Sequence, residues 1–402
     1  MKSDWKQLTL GELSELIIDY RGKTPKKLGG DWANNGYRAL SAKNIKTGRI
    51  VQPETIRFVN EGMYRKWMKD EIARGDILVT SEAPFGQIYY WNSDEKIVLS
   101  QRLFGVRINQ RYDSKYIYYY MTTPDFQSEL YARATGTTVV GLRQPELLKC
   151  VVRCPDIITQ RKIAAILSAL DDKIELNRRI SANLEQQAAE LYRERYETVV
   201  FDAKPNEWRV VTLGEVAVIG KTTFNPHKSP EILLEHYSIP AFDETRFPVF
   251  EMSSAIKSNK FVVDESCFLI SKLNPTTKRV WRPYCVTENA VCSTEFIVYK
   301  AKKEQNAEFL FAVINSATFS DFMCSHVTGT TGSRQRTTPT ETLDFEFLLP
   351  SDTELAEYQA LVAPLYEQIK NNAIETANLK TLRDALLPRL MSGEIDVSDI
   401  SL

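Results

Sequence analysis

Two Gly-Lys-Thr triplets, Gly22-Lys23-Thr24 and Gly220-Lys221-Thr222, are the residues whose types first suggest phosphate chemistry. A phosphate-cradling loop needs Gly, four residues, then Gly-Lys-Ser/Thr, so that successive backbone amides wrap the anion. The required first glycine is Ile17 in one copy and Glu215 in the other, with Gly214 one residue too early, so nucleotide hydrolysis is not expected. Pro155-Asp156 and Asp171-Asp172-Lys173 assemble a carboxylate-carboxylate-lysine set that could hold Mg²⁺ beside a scissile phosphate. Those three residues fall between Leu170 and Ile174 of a helical stretch whose later counterpart carries Tyr366, Glu367 and Gln368, so a solvated helix face is expected instead. Base methylation would need an Asn/Asp-Pro-Pro-aromatic segment to hold a flipped base. Asn225-Pro226-His227 and Asn274-Pro275-Thr276 lack the second proline and the aromatic. Cys150, Cys154, Cys267, Cys285, Cys292 and Cys324 form no C-x-x-C knuckle, and His227, His236 and His326 are scattered. Reduced structural thiols are expected, with neither a metal site nor a Cys-His nucleophile.

The 402 residues, 43% hydrophobic and 26% charged, allow two or three globular domains. The formal net charge of −1 argues against a nonspecific polyanion binder, which needs a marked Lys and Arg excess. Any anion-binding surface must be local. The polar opening Met1-Lys2-Ser3-Asp4-Trp5-Lys6 lacks the apolar stretch of a signal peptide, and no later run approaches the roughly 20 apolar residues of a membrane span. A cytoplasmic protein with no membrane partner is expected.

The chain repeats its landmarks in order. Trp5 with Leu8-Thr9-Leu10-Gly11-Glu12-Leu13 returns as Trp208 with Val211-Thr212-Leu213-Gly214-Glu215-Val216. The Gly-Lys-Thr triplets follow, then Ile77-Leu78-Val79 before Pro84 and Phe268-Leu269-Ile270 before Pro275, then Thr135-Gly136-Thr137-Thr138 and Thr328-Gly329-Thr330-Thr331. Order is kept while spacing drifts, which is the mark of a duplication with loop insertions.

Each copy closes on a long helix. Ile163, Leu167, Leu170, Ile174, Asn177, Ser181, Leu184, Ala188 and Leu191 step by four and three residues, the seam of a coiled coil. The second copy places Tyr358, Val362, Leu365, Ile369, Asn372, Thr376, Leu379, Arg383 and Leu386 in the same register. The helix-pair seam is thus Ile163, Leu167, Leu170, Ile174, Asn177, Leu184 and Leu191 against Val362, Leu365, Ile369, Asn372, Leu379 and Leu386. About 35 helical residues make a rod of roughly 50 Å, which cannot bury its seam alone. Asn177 and Asn372 hold equivalent positions, either within the seam, fixing its register, or exposed beside it. Ser351 with Glu354 fits a capping box at the start of the second helix, Pro364 predicts a kink or late start, and Pro388 predicts an end soon after Leu387.

Short β-rich runs fill the rest: Ile77 to Thr80, Ile88 to Trp91, Leu103 to Ile108, Cys267 to Ile270 and Phe296 to Tyr299, with local helices over Lys115 to Thr122 and Ala307 to Phe319. The expected fold class is α+β (mixed α/β): duplicated domains over 1–155 and 201–350, joined by antiparallel coiled-coil helices over 156–200 and 351–402 with pseudo-twofold symmetry.

The duplicated Trp-x-x-x-T-L-G-E entry, the Thr-Gly-Thr-Thr segments and the two equivalent helices together resemble the specificity subunits of type I restriction-modification systems. Asp19-Tyr20-Arg21-Gly22-Lys23-Thr24-Pro25 and Leu40-Ser41-Ala42-Lys43-Asn44-Ile45 are similar to stretches of that family's target-recognition domains. The resemblance covers essentially the whole chain. It implies that each domain reads half of a split, asymmetric double-stranded DNA target, while the helices act as a ruler and dock two methyltransferase subunits. It also implies restriction and translocation subunits, no catalytic residue and no cofactor on this chain, and S-adenosylmethionine, ATP and Mg on the partners. The second half departs in lacking the arginine before Gly-Lys-Thr and in having Thr223 and Phe224 where Pro25 and Lys26 stand.

Groove readers need Arg, Lys, Asn, Gln, Ser and Thr delivered to base edges and phosphates. The first-half candidates are Arg21, Lys23, Thr24, Lys43, Asn44, Ser81, Gln101, Arg102, Thr137, Thr138 and Arg143. In the second half they are Lys221, Thr222, Thr223, Lys272, Asn274, Lys278, Arg279, Thr330, Thr331, Ser333, Arg334 and Arg336. Two alternatives compete: a free-standing DNA-modifying enzyme, which would act without partners, and a tandem protein-interaction module on a coiled coil, which would ignore a bipartite duplex.

Overall fold

The computed structural model describes residues 5–136, 140–328 and 335–400. The chain divides into two units, 1–173 with 379–402, and 174–378.

In the first unit a four-stranded antiparallel sheet runs in the order Ser14–Asp19, Leu103–Ile108, Ile77–Thr80, Ile88–Tyr90. In the second the order is Ala217–Ile219, Phe296–Ala301, Cys267–Ser271, Val280–Trp281. The strands Ile77–Thr80 and Cys267–Ser271 are buried along their whole length because each sheet is covered on two faces. Ile77 and Val79 enter one core while Leu78 enters another, and Phe268 and Ile270 part from Cys267 and Leu269 in the same way. Each unit adds a ribbon, Lys6–Thr9 with Val151–Cys154 and Arg209–Thr212 with Glu346–Leu349.

The repeated Thr-Leu-Gly-Glu motif makes one turn of helix. Thr9 caps Leu10–Leu13 reciprocally with Glu12, and Leu10 N donates to Cys150 O at 2.8 Å, as Leu213 N does to Phe345 O at 2.8 Å. A Cβ on Gly11 would stand 3.3 Å from Leu148 O, and one on Gly214 3.3 Å from Leu343 O, so close backbone approach explains the glycine in both copies.

The halves diverge beside these sheets. The first has a three-stranded sheet of Arg57–Val59, Tyr37–Leu40 and Val98–Leu99, whereas the second has five strands, Thr223–Phe224, Lys260–Val262, Ala290–Ser293, Leu233–Tyr237 and Val249–Met252. Thr223 is therefore a strand residue paired with Phe261.

The long helices are Ile157–Tyr192 and Asp352–Met391, here the central and C-terminal helices. Asp156 opens the first by accepting from Ile158 N at 2.9 Å and Thr159 N at 3.1 Å. The capping box at the second is present: Glu354 Oε2 accepts from Ser351 N at 3.1 Å, and Ser351 Oγ from Glu354 N at 3.4 Å. Trp208 Nε1 also donates to Glu354 Oε2 at 2.8 Å, so the repeated tryptophan ties its domain to the helix start.

All thirteen seam residues are buried or half-buried. Within the second unit Asn177 Nδ2 donates to Glu375 Oε2 at 2.7 Å and Asn372 Nδ2 to Ser181 Oγ at 3.2 Å. The partner numbers fall as the others rise, so the helices are antiparallel there. Asn177 and Asn372 are 1% and 5% exposed, which places both inside the seam.

Several local expectations need correction. Asp171 is not on a solvated face: it accepts from Tyr119 Oη at 2.7 Å and pairs with Arg383 at 2.7 Å within the first unit. The C-terminal helix already begins at Asp352, so Pro364 marks no late start, and it continues past Pro388 to Met391. A proline removes only its own N–H, and Pro388 still accepts from Ser392 N at 3.0 Å. The stop is set instead by Gly393 at φ 74°, with Glu394 N bonding Arg389 O at 3.0 Å. The Ala307-to-Phe319 helix is split into Ala307–Ile314 and Ala317–Ser325 because Ser316 caps the second piece, accepting from Phe319 N at 3.0 Å. All six cysteines are free, and the described residues hold no group of His, Cys, Asp and Glu suited to a metal ion. Among the described residues no helix is long and apolar enough to cross a membrane.

Burial pushes the Glu354 carboxyl up, but the bonds from Ser351 and Trp208 outweigh it and hold it below its ordinary range. A lowered carboxyl pKa stabilises the fold above its unfolded value, and the contribution fades as pH falls through the folded value. Glu354→Ala should cost roughly 1–3 kcal/mol at pH 7, because it removes the cap and strands the buried Trp208 N–H. Urea unfolding of that variant beside the exposed Glu357→Ala measures this, and equal midpoints would show that the tie is energetically empty.

Candidate nucleic-acid interface

A chain of backbone hydrogen bonds gathers most first-half candidates into one place. Ala42 N donates to Gln101 O at 3.1 Å, Ser81 N to Arg102 O at 2.8 Å, and Leu142 N to Ser81 O at 3.0 Å. Arg21 closes the circuit through Nη1 to Leu142 O at 3.1 Å. The loops carrying Arg21, Lys43, Ser81, Gln101, Arg102 and Arg143 thus form one cluster, next to the bridge between Thr135 and Gly141.

The second unit repeats this frame. Lys272 N donates to Glu295 O at 3.0 Å and Thr337 N to Lys272 O at 3.1 Å. The bonding pattern equates Lys272 with Ser81, Glu295 with Arg102 and Thr337 with Leu142. Asn274 N adds a bond to Gln335 O at 2.9 Å, and Ser271 N one to Arg279 O at 2.9 Å. Lys272, Asn274, Arg279 and Arg336 are therefore brought together. Lys221 and Thr222 lie at the five-stranded sheet, where Thr222 O accepts from Val262 N at 2.9 Å, and no bond of this frame reaches them. Thr137, Thr138, Thr330, Thr331, Ser333 and Arg334 lie outside the described residues.

Side chains in these clusters fall into three kinds. Some are consumed in building the loops. Asn44 is fully buried; its amide donates to Gln52 O at 3.2 Å and Thr55 Oγ1 at 3.0 Å and accepts from Ser41 N at 3.1 Å. Ser81 is buried, and Thr24 Oγ1 accepts from Lys27 N at 3.3 Å. Asn274 holds a φ of 49° that turns its loop. Other candidates are cations satisfied internally. Arg21 grips Asp19 through Nε at 2.9 Å and Nη2 at 2.8 Å, with its guanidinium 4.0 Å above the Phe104 ring. Lys23 donates to Trp67 O at 2.9 Å, and burial lowers its pKa, helped by Lys69. Lys278 donates to Asn315 O, and burial lowers its pKa as well. Arg279 holds Asp243 through Nε at 2.6 Å and Nη2 at 2.9 Å. Arg336 holds Glu295 through Nε at 3.0 Å and Nη2 at 3.1 Å.

The third kind faces solvent with donors to spare. Lys43, Gln101 and Arg143 are exposed. Arg102, with its side chain 48% exposed, pairs with Glu82, its Nε 2.9 Å from Oε1. A donor-only reading of the sequence passes over Glu82, Asp19, Glu295 and Asp243, the carboxylates that hold these cations in place. Each pair is a tertiary contact except Arg21 with Asp19, two residues apart, which was the one available signal.

The fold therefore defines a class: a duplicated pair of small mixed domains, each presenting one loop cluster rich in hydrogen-bond donors and each packed on its own stretch of paired helix. Residues 2–186 match the family described as Type I restriction modification DNA specificity domain. The chain is 25% identical over 350 residues to the type I restriction enzyme MjaIX specificity subunit of Methanocaldococcus jannaschii, covering 81% of this chain and 79% of the relative. It is 22% identical over 477 aligned positions to the HindI specificity subunit of Haemophilus influenzae, covering 98% and 100%. The fold is similar to the crystal structure of a type I system S subunit from M. genitalium, with a TM-score of 0.58, 16% identity and 96% of each chain covered. Residues 2–186 thus match the DNA specificity domain of type I restriction-modification systems, and most of the chain is similar to specificity subunits of those systems.

The burial contrast between neighbours is testable. Asn44→Ala should cost about 1–3 kcal/mol of folding stability by leaving buried loop groups unpaired. Lys43→Ala should leave stability within about 0.5 kcal/mol but weaken duplex binding and flatten its salt dependence. Thermal melting and salt-titrated binding separate the two, and a Lys43 variant with unaltered affinity would remove that loop from the interface.

Proposed function

We propose that this subunit reads a split, asymmetric double-stranded DNA sequence, one half-site per domain, and contributes no catalytic residue. The observation that supports this best is the duplicated loop frame: the backbone bonds at Ser81 and Lys272 match, while the side chains presented there do not. Equal frames with unequal donors suit two half-sites of different sequence, read through base edges.

In this reading two methyltransferase subunits dock on the chain, bind S-adenosylmethionine and methylate adenine on either half-site. Restriction subunits supply ATP- and Mg-dependent translocation and cleavage. The paired helices set the distance between readers, so the base pairs between half-sites go uncontacted, as in other two-part DNA readers. The internal seam bonds of Asn177 and Asn372 favour this role, because a polar seam residue opposes slippage of one helix along the other.

Inserting one heptad at matched seam positions of both helices lengthens each by about 10 Å, so the unread spacer should grow by about 3 base pairs with both half-sites unchanged. Methylome sequencing of a strain carrying the variant reads the outcome. An unchanged spacer, or altered half-sites, would refute the ruler.

A further inference from the structure

Arg102 differs from every other arginine that the described loop clusters contain. Arg21 spends Nε, Nη1 and Nη2 on Asp19 and Leu142 O, and Arg336 spends Nε and Nη2 on Glu295. Arg143 is exposed, with no side-chain hydrogen bond among the described residues and only the charge of Glu146 near it. Arg102 alone combines both properties: its Nε edge rests 2.9 Å from Glu82 Oε1, while its terminal nitrogens make no hydrogen bond. It is also placed firmly. Its backbone sits at φ 65°, a conformation disfavoured for a non-glycine residue, and is locked there by the bond from Ser81 N to Arg102 O at 2.8 Å.

Recognition of guanine in the major groove uses that geometry. Two parallel guanidinium N–H groups meet O6 and N7 of one base, and the contact is selective only if the side chain is held at a fixed angle. A carboxylate on the Nε edge supplies that hold without occupying the reading edge. Glu82 lies beside the same cluster, its Oε2 3.6 Å from where a Cβ on Gly141 would stand.

The second half argues the same point by contrast. The residue before its matching strand, Phe296–Ala301, is Glu295 where the first half has Arg102 before Leu103–Ile108. An Arg-carboxylate pair survives, but its arginine, Arg336, comes from the separate short strand Arg336–Thr337. The reading donor at the strand end is therefore specific to the first half.

Resting on the proposed DNA-reading function, we infer that Arg102 is a specificity-determining residue that contacts one guanine of the first half-site, and that Glu82 is the positioning residue that aims it. The target is first defined by methylome sequencing with the cognate methyltransferase subunits. Competition binding with the assembled complex then substitutes each base pair of the duplex in turn. Arg102→Ala should erase discrimination at one G·C pair, worth roughly 10- to 100-fold, and leave the other positions unchanged. Arg102→Lys should fail to restore it, having charge without the paired donors. Glu82→Gln should reduce discrimination at that same pair only, with an unaltered melting temperature. A first half-site without a G·C pair, a uniform loss over all duplexes, or rescue by lysine would each overturn the assignment. Wild-type complex that binds scrambled duplex equally well would instead overturn the DNA-reading function itself.

Discussion

Neither long helix can bury its apolar stripe alone, and the way each unit covers that stripe governs the rest of the structure. In the first unit the cover comes from the far end of the chain: Leu390, Met391 and Val397 complete the core that holds Leu10, Ile77 and Tyr116. The first domain's hydrophobic core is thus unfinished without residues 390–397. In the second unit Leu355, Tyr358 and Val362 meet Ala188, Tyr192 and Tyr196 in one core. Helix pairing and domain folding are therefore a single cooperative event in each unit, because the same side chains serve both. A seam of leucine and isoleucine would tolerate sliding by a heptad. Buried Asn177 and Asn372, each bonded to the opposite helix, do not, and the unpartnered Asn177 Oδ1 is a local cost of that discrimination.

On this base, duplication has kept whatever backbone geometry demands and released the remainder. The Leu-Gly-Glu helical turn, the glycine pressed against a carbonyl, the strand order and the loop-joining amide bonds occur in both halves, whereas the side-chain cap on that turn is made by Thr9 and not by Thr212. Side chains projecting from the joined loops are not kept: Ser81 becomes Lys272 and Arg102 becomes Glu295. The five-stranded sheet of the second half against three strands in the first shows how much may be added beside the frame without disturbing it. A frame made of backbone bonds is indifferent to side-chain identity, which lets a reading surface change while the fold does not.

Much of this was legible in the sequence because it is periodic. The four-three spacing from Ile163 to Leu191 marked a helix and its buried face, and the apolar run Ile77 to Thr80 marked a strand buried on both sides. What escaped were effects decided by competition. Pro388 suggests a helix end, yet the energy of one missing bond is small beside the packing of Leu390 and Met391, and Gly393 makes the stop. Asn44 has the chemistry of a base reader and is used to build its own loop, because a side chain three residues from a serine folds back on it more readily than it reaches outward. The carboxylates Glu82 and Glu295 escaped for a different reason: they attract attention only once the cations they hold are known.

In the proposed reading, those carboxylates also account for a DNA reader with a net charge of −1. Arg21, Arg102, Arg279 and Arg336 each have an acidic neighbour, so the loop clusters carry little net charge although they are dense in donors. A surface of unpaired lysines would bind any duplex through its phosphates, and its affinity would be spent on wrong sequences. An ion-paired surface gains little from phosphates and gives up part of an internal contact to approach DNA. It recovers that loss only where a base edge offers acceptors in the right places, so the wrong sequence is rejected by leaving those donors unmet. Local neutrality and sequence selectivity are in this way one property of the same side-chain pairs.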